Sequence, residues 1–169
     1  AMSGFVADWI GEGRIDLAVL YDVAQLEGLV SRPLLEEELV VLWPGDADAA
    51  PEQSLTALHD VPLVVPSGAH GLRQLIDTAC QTLGFAPQIA VEIDSYSSIK
   101  QLVSAGFGAS ILPAHAATEE IRQGSLKISH IAEPGLWRGV HLVTSDRRPK
   151  TRAQEAIHQL MREVIGDFV

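Results

Sequence analysis

The sequence predicts an α/β protein in which strands and helices alternate along the chain. Apolar runs of strand length recur, and between them apolar residues repeat every three or four positions, as on the buried face of a helix. The chain has 169 residues and is 47% hydrophobic, enough to bury the core of one ordinary domain or of two small lobes. From the alternation we predict a mostly parallel sheet with helices on both faces.

The N-terminal part of the chain predicts a helix followed by two strands. Residues 5–10 carry apolar side chains at helical spacing, with Ser3 before them as a candidate N-cap and Gly11 after them. An apolar run at 15–20 and another at 39–43 predict strands.

The rest of the chain continues the alternation. Gly84 follows an apolar stripe of helical spacing and predicts the end of a helix, whereas Ser95 or Ser97 is placed to cap the next one. The remaining predicted strands are 62–66, 89–93, 109–113, 126–131 and 140–144, and the predicted helices cover 54–58, 72–83, 99–103 and 153–168.

Composition excludes several classes of protein. Lys and Arg number 12 against 22 Asp and Glu, for a formal net charge of −10, and such a surface repels nucleic acid. The basic stretch 147–152 is interpreted as the solvated start of the last helix. The apolar runs are too short for a membrane span, which takes about 20 residues, and no signal segment opens the chain. These features predict a cytoplasmic protein without membrane contact.

No motif points to a catalytic residue, a metal or a cofactor. The six histidines lack metal-ligand spacing, and the sequence has no phosphate-binding P-loop, dinucleotide glycine triplet or Gly-x-Ser-x-Gly elbow. Cys80 is the single cysteine and falls at the far end of its helix, where we expect it to pack in the core rather than to react. We therefore predict a protein that is not an enzyme.

The strongest signal for a ligand lies at residues 66–73, where a strand, a small-residue turn and a helix follow one another. The first N–H groups of such a helix favour an anion. Gly68 and Gly71 let a ligand approach the backbone, and Ser67 adds a hydroxyl. Ligands of open α/β sheets bind at the carboxyl ends of strands, which also selects residues 21–22, 94–96 and 112–114. The alternative is an ordinary βα turn with a capped helix.

Several segments, taken in order, resemble the effector-binding domain of LysR-type transcriptional regulators. Gly-Arg-Ile-Asp-Leu-Ala-Val at 13–19 is similar to one characteristic segment of that family. The resemblance extends over nearly all of residues 3–166, and the other segments that carry it are 39–42, 55–66, 71–77, 92–95 and 102–113.

The resemblance implies a fold similar to type 2 periplasmic binding proteins, with two Rossmann-like lobes joined by two crossover strands. Lobe I would comprise 1–43 and 146–169, and lobe II 44–145. Lobe I would be incomplete, because the family's first strand–helix–strand unit is not in this sequence. The full-length family member would be a homodimer or tetramer that binds DNA only through a winged helix-turn-helix, which this chain lacks.

The resemblance also implies a small effector, favoured to be anionic, between the lobes. Family contacts carry over to Ser3, Tyr21, His70, Gly71 and Leu72, while the strand-end rule adds Ser67 and Pro113. Two alternatives stay open. One is a stand-alone solute-binding protein of this architecture, which needs an export signal. The other is an enzyme on the same fold, similar to prephenate dehydratase or porphobilinogen deaminase, which needs a catalytic Thr or Asp, or a cofactor-bearing Cys, at the cleft.

Overall fold

A computed structural model describes residues 3–22, 27–149 and 151–166, and the side chains of residues 3–5 lie outside this description. The described residues form two compact units. The first unit runs to Glu37 and resumes at Arg138, and the second unit is Glu38–Trp137. The chain passes between them twice, after Glu37 and before Arg138.

The first unit is built on three strands. It contains α1 (Ser3–Gly11), β1 (Leu17–Tyr21), the first part of β2 (Leu29–Pro44), most of β8 (Trp137–Ser145) and α5 (Arg152–Gly166). In the strand order, β8 lies between β1 and β2. β1 pairs antiparallel with β8, and Leu17 lies opposite Thr144. The buried residues of this unit form a small core of Ala7, Ile10, Leu20 and Val143.

The second unit contains the other strands and helices. β2 pairs antiparallel with two neighbours, whereas β4 pairs in parallel with β5, and β7 with β3. A parallel bridge between Leu63 and Ala109 places the β4 strand beside the start of β6. The elements are β3 (Glu52–Gln53), a 3₁₀ helix (Leu55–Leu58), β4 (Pro62–Val65), α2 (Gly71–Thr82), β5 (Gln88–Glu92), α3 (Tyr96–Ser104), β6 (Ser110–Pro113), a 3₁₀ helix (Ala114–Ala117), α4 (Thr118–Arg122) and β7 (Leu126–Ile131).

The prediction of a mostly parallel sheet is wrong, because the described pairings are mixed. The pairs of β1 with β8 and of β2 with β6 and β7 are antiparallel. Neither β2 nor β8 is joined to these neighbours by a single helical crossover, the connection that makes adjacent strands parallel. An alternation of strands and helices along the sequence does not reveal this.

The larger core lies in the second unit and follows from helical periodicity. On α2, Leu72, Ile76 and Cys80 occupy successive turns and are all buried. On α3, Ile99 and Val103 do the same. Burying one such aliphatic side chain contributes about 1.5–3 kcal/mol, and Cys80 belongs to this core, as predicted.

The C-terminal helix has the predicted apolar face, but much of that face is exposed. Its apolar residues recur at helical spacing, yet Ile157, Leu160 and Val164 are 41%, 58% and 48% exposed. The sequence prediction extended this helix to Phe168, which lies outside the described residues. None of the described helices has the length and apolar character needed to cross a membrane.

A pair of glycines allows a test of the backbone geometry. Gly108 has φ +151°, and a Cβ built there would lie 2.3 Å from the carbonyl oxygen of Pro62, whereas Gly84 has φ +84° and open space around it. We expect Gly84→Ala to lower the free energy of unfolding by about 1 kcal/mol through backbone strain alone. Gly108→Ala should cost about 3 kcal/mol or more, because the backbone of β4 must also move.

Urea unfolding followed by circular dichroism measures both losses. Equal losses for the two variants would contradict the close approach of Gly108 to Pro62.

Candidate functional site

The carboxyl ends of three neighbouring strands of the second unit point to one edge. β4 is parallel to β5 on one side and to the start of β6 on the other, so the carboxyl ends of all three strands point the same way. The turn 66–70 follows β4, Asp94 follows β5, and Pro113 ends β6. This edge is where ligands of α/β sheets bind, and the strand-end prediction selected all three segments.

Ser67 and Asp94 join two of these strand ends. The backbone N–H of Ser67 donates to Oδ1 of Asp94 at 2.8 Å, and its Oγ donates to Oδ2 at 3.1 Å. These two bonds, with a smaller effect of the nearby His70, hold the pKa of Asp94 below its ordinary value. Asp94 is exposed and anionic at neutral pH, so the turn that was predicted to attract an anion already carries one of its own.

His70 caps the helix that begins at this turn. Its ring Nδ1 accepts the backbone N–H of Leu72 at 3.2 Å, and the backbone N–H of His70 donates to the carbonyl of Ser67 at 2.9 Å. The imidazole ring lies 6.3 Å from the ring of Tyr96, centre to centre. A capping Nδ1 must be an acceptor, which places the proton of the neutral ring on Nε2. His70 therefore stabilises α2 as well as lining its exposed end.

Backbone donors at the turn remain open to a ligand. Gly68, Ala69 and Gly71 are exposed, and a Cβ at either glycine would meet nothing within 4 Å. Within the described part of the chain, no hydrogen-bond acceptor is recorded for their N–H groups. These amides stand at the N-terminus of a twelve-residue helix, α2, whose dipole adds to their attraction for an acceptor.

Arg73 does not offer its charge to a ligand. Its guanidinium bonds Asp77 at 2.9 Å and Glu92 at 2.6 Å, and it reaches the carbonyl of Pro66 at 3.3 Å. Burial lowers the pKa of this guanidinium, but the bonds to the two carboxylates raise it by more, so the pKa of Arg73 lies above its ordinary value. Arg73 thus ties the start of the turn to α2 and β5, which is a structural role.

The other predicted contacts lie in different surroundings. Leu72 and Pro113 are buried, so Leu72 contributes its side chain to the core. Ser3 is the first residue of α1, but its side chain lies outside the described residues. Tyr21 belongs to the first unit, is 42% exposed, and has the guanidinium carbon of Arg138 3.8 Å from its ring centre. Arg138 in turn pairs with Glu37, and both are buried.

Two residues of the site had only partial sequence signals. Asp94 was selected as a strand end, but its bonds to Ser67 were not foreseen. Arg73 falls within the predicted ligand segment 66–73, but its guanidinium already binds two carboxylates. Ser95, one of two predicted caps, begins α3 by accepting the N–H of Ser98 at 3.3 Å.

An open cavity of about 560 Å³ lies along α2, and its lining does not include residues 66–70; the lining residues are Arg73, Asp77, Gln81, Gly84, Phe85, Ala86 and Pro87. Among the described residues, no three His, Cys, Asp or Glu side chains are grouped as metal ligands.

Comparison with known proteins identifies relatives of the whole chain. A family model described as the LysR substrate binding domain matches residues 1–166. The nitrogen assimilation regulatory protein nac of Klebsiella aerogenes is 27% identical over 156 residues, which is 91% of this chain and 50% of that protein. A probable nitrogen assimilation transcriptional activator of Synechococcus elongatus is 31% identical over 159 residues, 91% of this chain and 52% of that protein. A probable hydrogen peroxide-inducible genes activator of Streptomyces viridosporus is 28% identical over 168 residues, 95% of this chain and 53% of that protein. This chain therefore spans about half the length of these relatives.

Solved structures share the fold. The effector binding domain of QuiR in complex with shikimate superposes with a TM-score of 0.84 at 22% identity, covering 97% of this chain and 78% of that one. The regulatory domain of CcmR from Synechocystis PCC6803 in complex with 2-PG gives 0.86 at 19% identity, covering 97% and 80%.

The Ser67–Asp94 contact makes a prediction about pH. We expect the carboxyl of Asp94 to titrate below an ordinary aspartate, whose pKa is about 3.9, and Ser67→Ala to raise its pKa part of the way back by removing the hydroxyl donor. Since the folded pKa is the lower one, this contact stabilises the fold above the unfolded pKa. The stabilisation is lost as the pH falls through the folded pKa.

Carbon-13 NMR of the Asp94 carboxyl during acid titration measures both pKa values. An unshifted pKa in the parent chain would show that the two hydrogen bonds are not formed, and an unchanged pKa in Ser67→Ala would show that the hydroxyl bond is not formed.

Proposed function

The chain belongs to the LysR substrate-binding domain family, and on that premise we propose that it is the effector-sensing domain of a bacterial LysR-type transcriptional regulator. The observation that carries this proposal is the turn after β4, where Gly68, Ala69 and Gly71 are exposed, next to Asp94, which follows β5 and bonds Ser67. A small effector binds there, with Ser67, His70 and Gly71 as its principal contacts. The complexes of the two structural neighbours with small molecules support an effector of that size.

The remaining predicted contacts have different parts in this proposal. Tyr21, which is 42% exposed, and Ser3 stay proposed contacts on the family resemblance alone. Leu72 and Pro113 act through the shape that they give to the site, because both are buried. The effector changes the activity of the regulator only to the extent that it binds two arrangements of the protein with different affinity.

In the full-length regulator, the effector-bound state of this domain would control the binding of DNA. We propose that the regulator binds operator DNA through a winged helix-turn-helix outside this chain, that it acts as a homodimer or tetramer, and that it works in the cytoplasm. The nitrogen-regulating relatives favour effectors from nitrogen metabolism as the first to test.

An enzyme is disfavoured by the hydrogen bonds of the site. Ser67, His70 and Asp94 have the side chains of a hydrolase triad, but in such a triad the serine hydroxyl donates to the imidazole. Here the hydroxyl of Ser67 donates to Asp94, and Nδ1 of His70 accepts the backbone of Leu72. This geometry holds the turn in place and does not activate a nucleophile.

The test is a ligand screen by thermal shift on this domain, using amino acids, hydroxy acids, dicarboxylates and phosphate esters. A ligand at a hundredfold excess over its dissociation constant stabilises the protein by about 2.7 kcal/mol. We expect His70→Asn to weaken each true hit about tenfold, since it removes one hydrogen bond. Ser67→Ala should also weaken each hit, because it removes the hydroxyl that holds Asp94 in place. Asparagine keeps the helix cap while the imidazole is removed.

The matched control is His59→Ala, because His59 is an exposed histidine that contacts Phe85 and Asp60 instead. Hits that bind both site variants as tightly as the parent chain would place the effector elsewhere.

A thiol-based response to peroxide, which the name of one relative raises, is disfavoured by Cys80. Burial in the core, with a smaller effect of Asp77, raises the pKa of this thiol to about 11, and only the thiolate reacts readily. We expect Cys80 to resist iodoacetamide in the folded domain at pH 8 and to react fully in 6 M guanidinium.

Mass spectrometry of the alkylated protein measures the extent of labelling. Labelling of the folded domain at the rate of a free thiol would reopen the redox hypothesis.

A further inference from the structure

The candidate site carries an excess of negative charge, although the N–H groups of its turn favour a hydrogen-bond acceptor. Asp77, Glu92 and Asp94 stand against the single guanidinium of Arg73, which Asp77 and Glu92 already bind. Asp94 lies at the turn itself and stays exposed after both of its oxygens have accepted from Ser67. The net negative charge therefore disfavours a ligand that carries only an anionic group.

The hydrogen-bonding capacity of Asp94 is only partly used. A carboxylate can accept about four hydrogen bonds, and Ser67 supplies two. The remaining acceptor positions belong to an exposed side chain at the mouth of the turn. A group that donates hydrogen bonds, such as an ammonium or a hydroxyl, satisfies them, whereas a second carboxylate is repelled there.

The acceptor part of a ligand has a separate place. Gly68, Ala69 and Gly71 are exposed residues that follow Ser67 along the chain, and their N–H groups have no acceptor within the described ranges. The hydroxyl and N–H of Ser67, which the sequence offered to an anion, are occupied by Asp94. The site thus has one position for a donor group of a ligand, at Asp94, and a second position for an acceptor group, at the amides of the turn.

We propose that this site selects ligands that combine an anionic group with a hydrogen-bond donor, such as amino acids and hydroxy acids, and that Asp94 is the residue that imposes the choice. The ligand's donor faces Asp94, and its carboxylate or phosphate faces the amides of residues 68–71. This inference rests on the proposed function and replaces the expectation of a simple anion with a narrower chemical class.

The test uses three probes of one size on the nitrogen-15-labelled domain: L-serine, D-glycerate and malonate. Serine and glycerate carry a donor beside a carboxylate, and malonate carries two carboxylates only. Shifts of the Gly68, Ala69 and Gly71 amides report binding at the site itself. We expect serine or glycerate to bind at least fivefold more tightly than malonate.

Asp94→Asn should reverse this order by removing the charge at nearly constant size, with at least a fivefold gain for malonate. Asp94→Ser serves as a second variant in case the asparagine alters the turn. Asp60→Asn is the control, since Asp60 is an exposed aspartate beside His59, and it should leave the order unchanged.

The outcomes separate the two proposals. Malonate binding as tightly as serine and glycerate to the parent chain, or an order that neither Asp94 variant changes, overturns the role of Asp94 but leaves the site in place. If none of the three probes shifts the three amides, the placement of the site fails, and the inference fails with it.

Discussion

The parallel register of β4 between β5 and β6 is the constraint on which the candidate site depends. It brings the carboxyl ends of three strands to one edge, so that the turn after β4 meets Asp94 after β5. Arg73 stabilises the same arrangement, because its guanidinium bonds Asp77 of α2, Glu92 of β5 and the carbonyl of Pro66. Without this register, Ser67 and Asp94 would lie in unrelated loops.

The site illustrates how a protein limits the attraction of its own backbone for anions. A helix N-terminus alone would bind almost any carboxylate or phosphate. Here the internal carboxylate of Asp94 takes the donors of Ser67, and His70 takes the N–H of Leu72, so only part of the helix end faces solvent. Selectivity follows from the donors that are withheld as much as from those that are offered.

The sequence predicted those features that depend on local chemistry. The apolar spacing predicted α2 with its buried face, and Ser95 caps α3 as expected. It did not predict the short helices at 114–122, nor the first half of β2, where Glu36, Glu37 and Glu38 interrupt the apolar run. The bond between Ser67 and Asp94 depends on a register that shifts between Leu63 and Val64, and no local pattern encodes such a shift.

The buried pair of Glu37 and Arg138 has a consequence for the divergence of related chains. The two residues are 8% and 3% exposed and stand on the two separate passages between the compact units. Replacing either residue alone leaves the charge of the other buried without a partner, which lowers the free energy of unfolding by about 3–5 kcal/mol. In homologues the two residues should therefore be substituted together. A family alignment should then show covariation between these two positions, which lie about a hundred residues apart in the sequence.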